Sequence, residues 1–343
     1  MAQIDFFARW PHFFDHMAPI YHELGDLAGE FFVSPPMAEY VWQNGIKPSV
    51  LKPRMMGNDL DVAPIGTNPL LTASVGDLQM AYAAQINRKF VLMEHGPGIT
   101  FPVNSSYAGN FGYRRKASLF LAPNDLVYKK TYASMPEAHQ LVIGTPMLDP
   151  WYGKFKEEKV LPIKPTVAIA FHWDGSKVSP EAGNTFRHYQ SIIPKLAACP
   201  DFKLIAHGHP RNLKEYLGYY ESLGIEVVSD FREVMNRANL LINDCSSIAY
   251  MFLVTGWPVI LLNAPWFRKN VNFGLRFWDY TDVGEQVEHP DELFNAISRA
   301  FSNLEERRNE RELAIESLFP HLGYSAAFTA RFLKIVVDSK ASI

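Results

Sequence analysis

The chain has 343 residues, 48% hydrophobic and 20% charged, an ordinary globular composition long enough for two cores. Its formal net charge of −3 supplies no overall basic field to recruit nucleic acid or anionic lipid. Two cysteines, Cys199 and Cys245, with no CxxC pair, count against a disulfide scaffold or a structural zinc and fit a reducing cytoplasm.

Residues 6–24 are rich in aromatics, and Asp5, Arg9 and Asp15 interrupt any apolar run, so no signal peptide is read there. The segment is not basic, so it is expected to pack on a domain in preference to a membrane surface. Strand patterns follow at residues 30–34, 49–52, 70–74, 89–94, 118–122 and 140–144, with helical patterns at 36–44, 75–86 and 129–135. Pro150, Gly153, Pro162 and Pro165, around a charged run from Lys154 to Lys159, read as a linker. Beyond it, strands are expected at 166–171, 202–207, 225–228, 240–243 and 259–262. Helices are expected between them at 185–198, 212–222, 231–237 and 247–255. A last helical pattern, 302–335, should break at Pro320 and Gly323.

Apolar strands separated by helices predict an α/β fold class with two Rossmann-like, doubly wound parallel sheets. The expected domains are an acceptor-side 1–150, a nucleotide-donor-binding 151–310, and helices 311–343 packing back towards the first domain. Ligands in such a fold belong at the C-terminal ends of the strands, in a cleft. No stretch reaches transmembrane length, so cytoplasmic residence is expected, with peripheral attachment at the inner face of a membrane left open.

Three turns carry chemistry. Met93-Glu94-His95-Gly96-Pro97-Gly98 follows a strand, and a histidine there suits removal of a proton from a hydroxyl. The bland alternative is a turn histidine that caps a backbone group. His207-Gly208-His209-Pro210-Arg211 offers an imidazole donor and a cation for phosphate, with Pro210 opening the next helix. His-x-His also suits a metal, but no cysteine or carboxylate cluster follows to complete one, so phosphate is favoured and no metal is expected. Asn243-Asp244-Cys245-Ser246-Ser247 places two hydroxyls where a helix begins, a seat for a phosphate. Its bland reading is a serine cap. Asp244 is expected to orient this turn, since like charge keeps it from phosphate, and Cys245 to be a small buried residue. Weaker candidates for the acceptor or cleft are Asn104, Ser105, Ser106, Trp173, Asp279 and Glu285. No GxGxxG, Walker loop, GxSxG or HExxH occurs.

These residues resemble the CDP-glycerol glycerophosphotransferase family, the teichoic acid primases and polymerases. The likeness is carried by Leu204 to Pro210, by Asn243 to Leu262, by Arg276-Phe277-Trp278-Asp279-Tyr280 and by the closing segment from Gly323. In the first half, Glu94-His95-Gly96-Pro97 and Gly144-Thr145-Pro146 with Asp149 are similar to that family's turns. The resemblance implies a GT-B type fold, His95 as general base, His209 stabilising the donor phosphates, and Ser246 and Ser247 holding them. It implies a cytidine diphospho donor attacked at phosphorus, with CMP leaving. The chain departs from the family at Phe171-His172-Trp173-Asp174, where a basic donor contact is missing, and in its non-basic start.

The resulting expectation is a metal-independent transferase acting from a nucleotide-linked donor on an acceptor hydroxyl in cell-envelope polymer or glycan synthesis. It needs no cofactor beyond that donor and no nucleic-acid partner. The alternatives are sugar transfer from a nucleotide sugar to a glycan, small molecule or modified nucleobase, and a nucleotide-sugar epimerase drawing on Glu94 and Asp174.

Overall fold

The computed structural model describes residues 3–51, 54–56, 59–61, 64–98, 112–135, 138–176, 183–267 and 278–338. They divide into two compact units. One takes the described chain up to Pro150 and returns at Ser317; the other runs Trp151–Glu316.

The first unit opens with β1 (Ile4–Ala8), α1 (Pro11–Leu24), β2 (Ala28–Val33), α2 (Ala38–Gln43) and β3 (Pro48–Val50). A short antiparallel pair follows, β4 (Arg54–Met56) and β5 (Asp59–Asp61). Then come β6 (Leu70–Thr72), α3 (Val75–Ala84), β7 (Phe90–Met93), β8 (Leu119–Ala122), α4 (Asp125–Ser134) and β9 (His139–Val142). Seven strands form one parallel sheet in the order β3-β2-β1-β6-β7-β8-β9. The aromatic segment 6–24 packs on this unit as expected, its first three residues lying in the central strand β1 and most of the rest in α1. All five residues of β1 are buried, because Asp5 is held inside by Arg88 at 2.5 Å and by the Asn68 amide and Glu30 N–H. That interior charge pair is why the run did not look like a strand: one buried polar residue broke an otherwise apolar pattern.

In α1, Pro11 sets the first turn, and Phe13, Phe14, Met17, Ile20 and Leu24 enter the core. The predicted break in the closing helical pattern holds. A helix ends at Leu318, Pro320 follows, and a new helix starts at Ser325. Asp149 accepts the N–H groups of Gly323, Ser325 and Ala326 there, satisfying donors a helix start leaves orphaned. Gly144 lies against this turn at φ 80°, and a Cβ on it would overlap the Pro320 carbonyl oxygen.

The second unit contains β10 (Thr166–Phe171), α5 (Phe186–Tyr189), α6 (Ile193–Ala197), β11 (Lys203–Gly208), α7 (Pro210–Ser222) and β12 (Glu226–Val227). It continues with α8 (Phe231–Arg237), β13 (Leu240–Asn243), α9 (Ile248–Phe252), β14 (Val259–Leu262), β15 (Glu285–Val287) and α10 (Leu293–Ser302). α11 (Arg308–Leu318) and α12 (Ser325–Asp338) close the chain. The sheet is parallel, in the order β12-β11-β10-β13-β14-β15. β13 and β14 are wholly buried, as strands covered by helices on both faces must be.

Three expectations change. The helix expected at 185–198 is two short helices, with Pro194 opening the second. The helix after Ser247 spans five residues before tightening into a 3-10 turn, Leu253–Thr255, so its macrodipole is that of a single turn. Glu285 lies in edge strand β15 and pairs with Arg299, which removes it from the cleft candidates. Among the described residues, no helix is long and apolar enough to cross a membrane.

Candidate functional site

Each sheet reverses its strand order once: between β1 and β6 in the first unit, between β10 and β13 in the second. Loops on the two sides of such a point leave in opposite directions, which opens a crevice at the C-terminal edge. The candidate residues gather at these two edges.

In the first unit, His95 follows β7 and is exposed. Its Nδ1 lies 3.0 Å from the Ala73 carbonyl oxygen. A carbonyl only accepts, so Nδ1 carries the proton and Nε2 is left as the basic nitrogen. Gly96 and Gly98 have φ of 75° and 87°, backbone that favours glycine and turns the chain sharply after His95. Buried Asn124 braces this turn by donating to the Pro97 carbonyl at 3.0 Å, while its Oδ1 caps α4. From α1, the Phe13 ring stands edge-on to His95 at 4.9 Å, and the His12 and His16 rings lie at 5.8 and 6.5 Å. His16 is 4% exposed, and its Nδ1 has no hydrogen-bond partner among the described residues. Burial, and secondarily His95, lowers its pKa from 6.5 to about 3, so it stays neutral. Glu94 is buried in an ion pair with Arg114.

In the second unit, Asp244 is fully buried and saturated. Oδ1 accepts from the N–H groups of His172 (2.9 Å) and Cys245 (2.7 Å), and Oδ2 from Thr185 N–H (3.0 Å). It therefore organises the edge from within. Asn243 does similar work, donating to the Ala170 carbonyl and accepting the Ser246 N–H. Cys245 is buried, as expected. Ser247 stands at the cap position with helical φ and ψ of −59° and −21°, and its side chain makes no cap bond. Ser246 and Ser247 are both half-buried, and neither hydroxyl makes a hydrogen bond among the described residues. A capping serine would have used its hydroxyl, so the serine-cap reading does not hold for Ser247.

The two histidines of the His-Gly-His turn separate. His207 is buried against Phe231, donates from Nδ1 to the Val228 carbonyl at 2.7 Å, and has its pKa lowered by burial. His209 is half-buried at the edge, its ring 5.6 Å from His172 and 6.4 Å from Trp173. A Cβ on Gly208 would meet only ordinary contacts, so close packing does not demand glycine there. Pro210 opens α7; the side chains of Pro210 and Arg211 lie outside the described residues. Trp173 is half-buried beside His172. Asp279 falls in the 3-10 turn Trp278–Val283, and Asn104, Ser105 and Ser106 lie outside the described residues. Among the described residues, no group of three or more His, Cys, Asp or Glu is placed to hold a metal ion.

His12, His16, Asn124 and Thr185 were not singled out from the sequence. The i, i+4 spacing of His12 and His16 and the Pro123-Asn124-Asp125 cap after a strand were the available signals.

No protein-family model and no curated protein sequence matches the chain. Solved structures do. A variant of the wall teichoic acid polymerase TagF aligns over 99% of this chain and 90% of its own, with TM-score 0.66 and 14% identity. The S. aureus MnaA–UDP complex aligns over 98% and 97%, with TM-score 0.64 and 12% identity. The UDP-GlcNAc 2-epimerase of Neisseria meningitidis, bound to UDP-GlcNAc, aligns over 97% and 100%, with TM-score 0.58 and 14% identity. At these identities the likeness establishes the fold: two Rossmann-like parallel sheets of the GT-B type.

Proposed function

We propose that this protein is a transferase that takes a group from a nucleotide diphosphate donor, CDP-glycerol first among candidates, to an acceptor hydroxyl. The observation that carries the reading is the pair of hydroxyls, Ser246 and Ser247, unbonded among the described residues and set on the same C-terminal sheet edge as His209 and His172, where the second sheet reverses its order. Hydroxyls without internal bonds among the described residues, and imidazoles on the same edge of a saturated scaffold, suit a diphosphate, whose oxygens need donors.

His95 is the base on this reading. As the acceptor oxygen bonds to phosphorus, its proton passes to Nε2, and the P–O bond to the leaving nucleotide breaks, releasing CMP with its charge held by His209 and the two hydroxyls. If the donor is a nucleotide sugar, the bond forms at the anomeric carbon and a nucleoside diphosphate leaves. Metal independence is part of the proposal.

Nucleotide-sugar epimerisation is the second reading, favoured by the full-length fold likeness to two UDP-linked proteins, MnaA and the Neisseria 2-epimerase. Its proposed carboxylates are already engaged, Glu94 with Arg114 and Asp174 with the Ser176 N–H at 3.0 Å, which supports transfer over epimerisation.

The test is incubation with CDP-glycerol and a panel of nucleotide sugars, with and without EDTA, with polyol phosphates and sugars as acceptors. CMP release supports phosphoryl attack. UDP or GDP release moves the reaction to sugar transfer. Conversion of a UDP-sugar to its epimer with no lasting release of nucleotide overturns transfer.

A further inference from the structure

The loop that leaves central strand β1 carries an exposed indole. Trp10 is the second residue after β1 and the cap residue of α1, with extended backbone (φ −136°, ψ 147°). It is 44% exposed, and its side chain makes no hydrogen bond and no ring contact among the described residues. A single exposed indole is ordinary on a protein surface; the place of this one gives it a use.

The backbone under Trp10 is fixed. The Arg9 N–H and guanidinium donate to Asp77 at 3.2 and 2.5 Å, and the Arg9 carbonyl accepts from the Ser34 hydroxyl at 3.3 Å. The Trp10 carbonyl accepts from the N–H groups of Phe13 and Phe14 at 3.1 and 3.2 Å, which ties it to the first turn of α1. The same turn packs on the candidate base, with the Phe13 and His12 rings 4.9 and 5.8 Å from that of His95. The sheet register agrees. Phe7 stands opposite Thr72 and Thr72 opposite Leu92, and Trp10 and His95 are each the third residue beyond that row. At about 4.8 Å per strand, the strands that deliver them lie roughly 10 Å apart along one edge.

The second unit has an indole at the matching place and uses it differently. Trp173 is the second residue after central strand β10, but its ring lies near those of His172 and His209, at 5.6 and 6.4 Å. Trp10 has no ring neighbour among the described residues, which leaves its surface to a ligand.

The surrounding chemistry selects that ligand. An indole face is apolar and electron-rich, so it suits the C–H face of a sugar ring and repels a phosphate, which needs a cation. Two cations at this edge are already paired, Arg9 with Asp77 and Arg114 with buried Glu94. We propose that Trp10 is the floor of an acceptor subsite for a pyranose sugar, which lies on the indole and offers a ring hydroxyl to the His95 imidazole. This rests on the reading of His95 as the base of a transferase, and it selects sugars over polyol phosphates as acceptors.

The experiment is saturation-transfer NMR of the full chain with the methyl pyranosides of glucose, galactose, mannose and N-acetylglucosamine and with glycerol 3-phosphate, followed by nucleotide release with each as acceptor. The wild type should bind at least one pyranoside and should bind glycerol 3-phosphate about tenfold more weakly. Trp10→Ala should weaken that pyranoside about tenfold and raise its KM as acceptor by a similar factor, with kcat unchanged. Trp10→Phe, which keeps a ring and the fold, should restore most of the loss. Trp42→Ala removes another indole, 62% exposed on α2, and is the control that should leave pyranoside binding unchanged. No binding of any of these pyranosides, or binding that Trp10→Ala leaves intact, overturns the subsite. Nucleotide release driven by glycerol 3-phosphate and by no pyranoside also overturns it, while the transferase reading stands. Trp10-dependent pyranoside binding with no nucleotide released from any donor keeps the sugar site and overturns the transferase reading.

Discussion

The two switch points share a clamp and differ in what the clamp presents. In the first unit, Asp77 accepts the N–H of Arg9, the residue after β1, at 3.2 Å; in the second, Asp244 accepts the N–H of His172, the residue after β10, at 2.9 Å. Both aspartates are fully buried, and each ties the loop after the central strand to the element beyond the reversal. Asp77 is completed by the Arg9 guanidinium at 2.5 Å, whereas Asp244 takes the Thr185 N–H and hydroxyl. On that common frame, the first edge carries imidazoles packed on aromatic rings, and the second carries two unbonded hydroxyls beside imidazoles. Topology chooses where a site can be; the side chains after each strand choose its chemistry. On the proposed reading, the first edge moves a proton and the second holds an anion.

The largest effect should come from cutting that division of labour. His95→Ala is expected to lower turnover about 10²–10⁴-fold while leaving nucleotide affinity unchanged, read by nucleotide release and calorimetry on the same protein. A parallel loss of affinity would mean that the two edges do not have separate roles. Next come the clamps. Asp244→Asn leaves a buried N–H without its acceptor and should cost about 1–3 kcal/mol of stability, measured by denaturant unfolding. Asp77→Asn should cost a similar amount if the clamps are equivalent. A neutral result at either would break the comparison.

The double variant Ser246→Ala with Ser247→Ala should weaken nucleotide binding about tenfold or more and shift stability by less than about 0.5 kcal/mol, because neither hydroxyl is bonded among the described residues. A large drop in melting temperature would assign them a structural role instead. The smallest effect concerns pH. His16 binds its proton near 6.5 when unfolded and only near 3 when folded, so the unfolded chain takes up more protons between those values. Stability should fall as pH drops below about 6.5, and melting curves between pH 7 and 5 should show a shallower fall for His16→Gln. His207, also lowered by burial, should keep some slope in the variant.

Much of the fold was legible because strands buried on both faces must be apolar throughout. The runs ending at Met93, Ala122, Phe171, Asn243 and Leu262 stand out for that reason. Central strand β1 hid behind Asp5, whose charge is matched by Arg88 from 83 residues away. Edge strand β15 hid because half its surface faces water. Of the site, the turns bearing His95, His209 and Ser246 were readable from their position after strands. The partners that define their states were not: the Ala73 carbonyl that sets the His95 tautomer is 22 residues distant, and the Thr185 N–H on Asp244 is 59.

By itself the sequence determined the alternation of strands and helices, the breaks at proline and glycine, and which turns held hydroxyls and imidazoles, since these follow from local backbone preference and solvation. Only the tertiary structure decided which of those groups kept their hydrogen-bonding capacity. His207 spends its Nδ1 proton on Val228 and Asp244 fills both oxygens, whereas the Ser246 and Ser247 hydroxyls are unengaged among the described residues. That sorting depends on which distant donors and acceptors the parallel sheets bring alongside, and no local pattern encodes it.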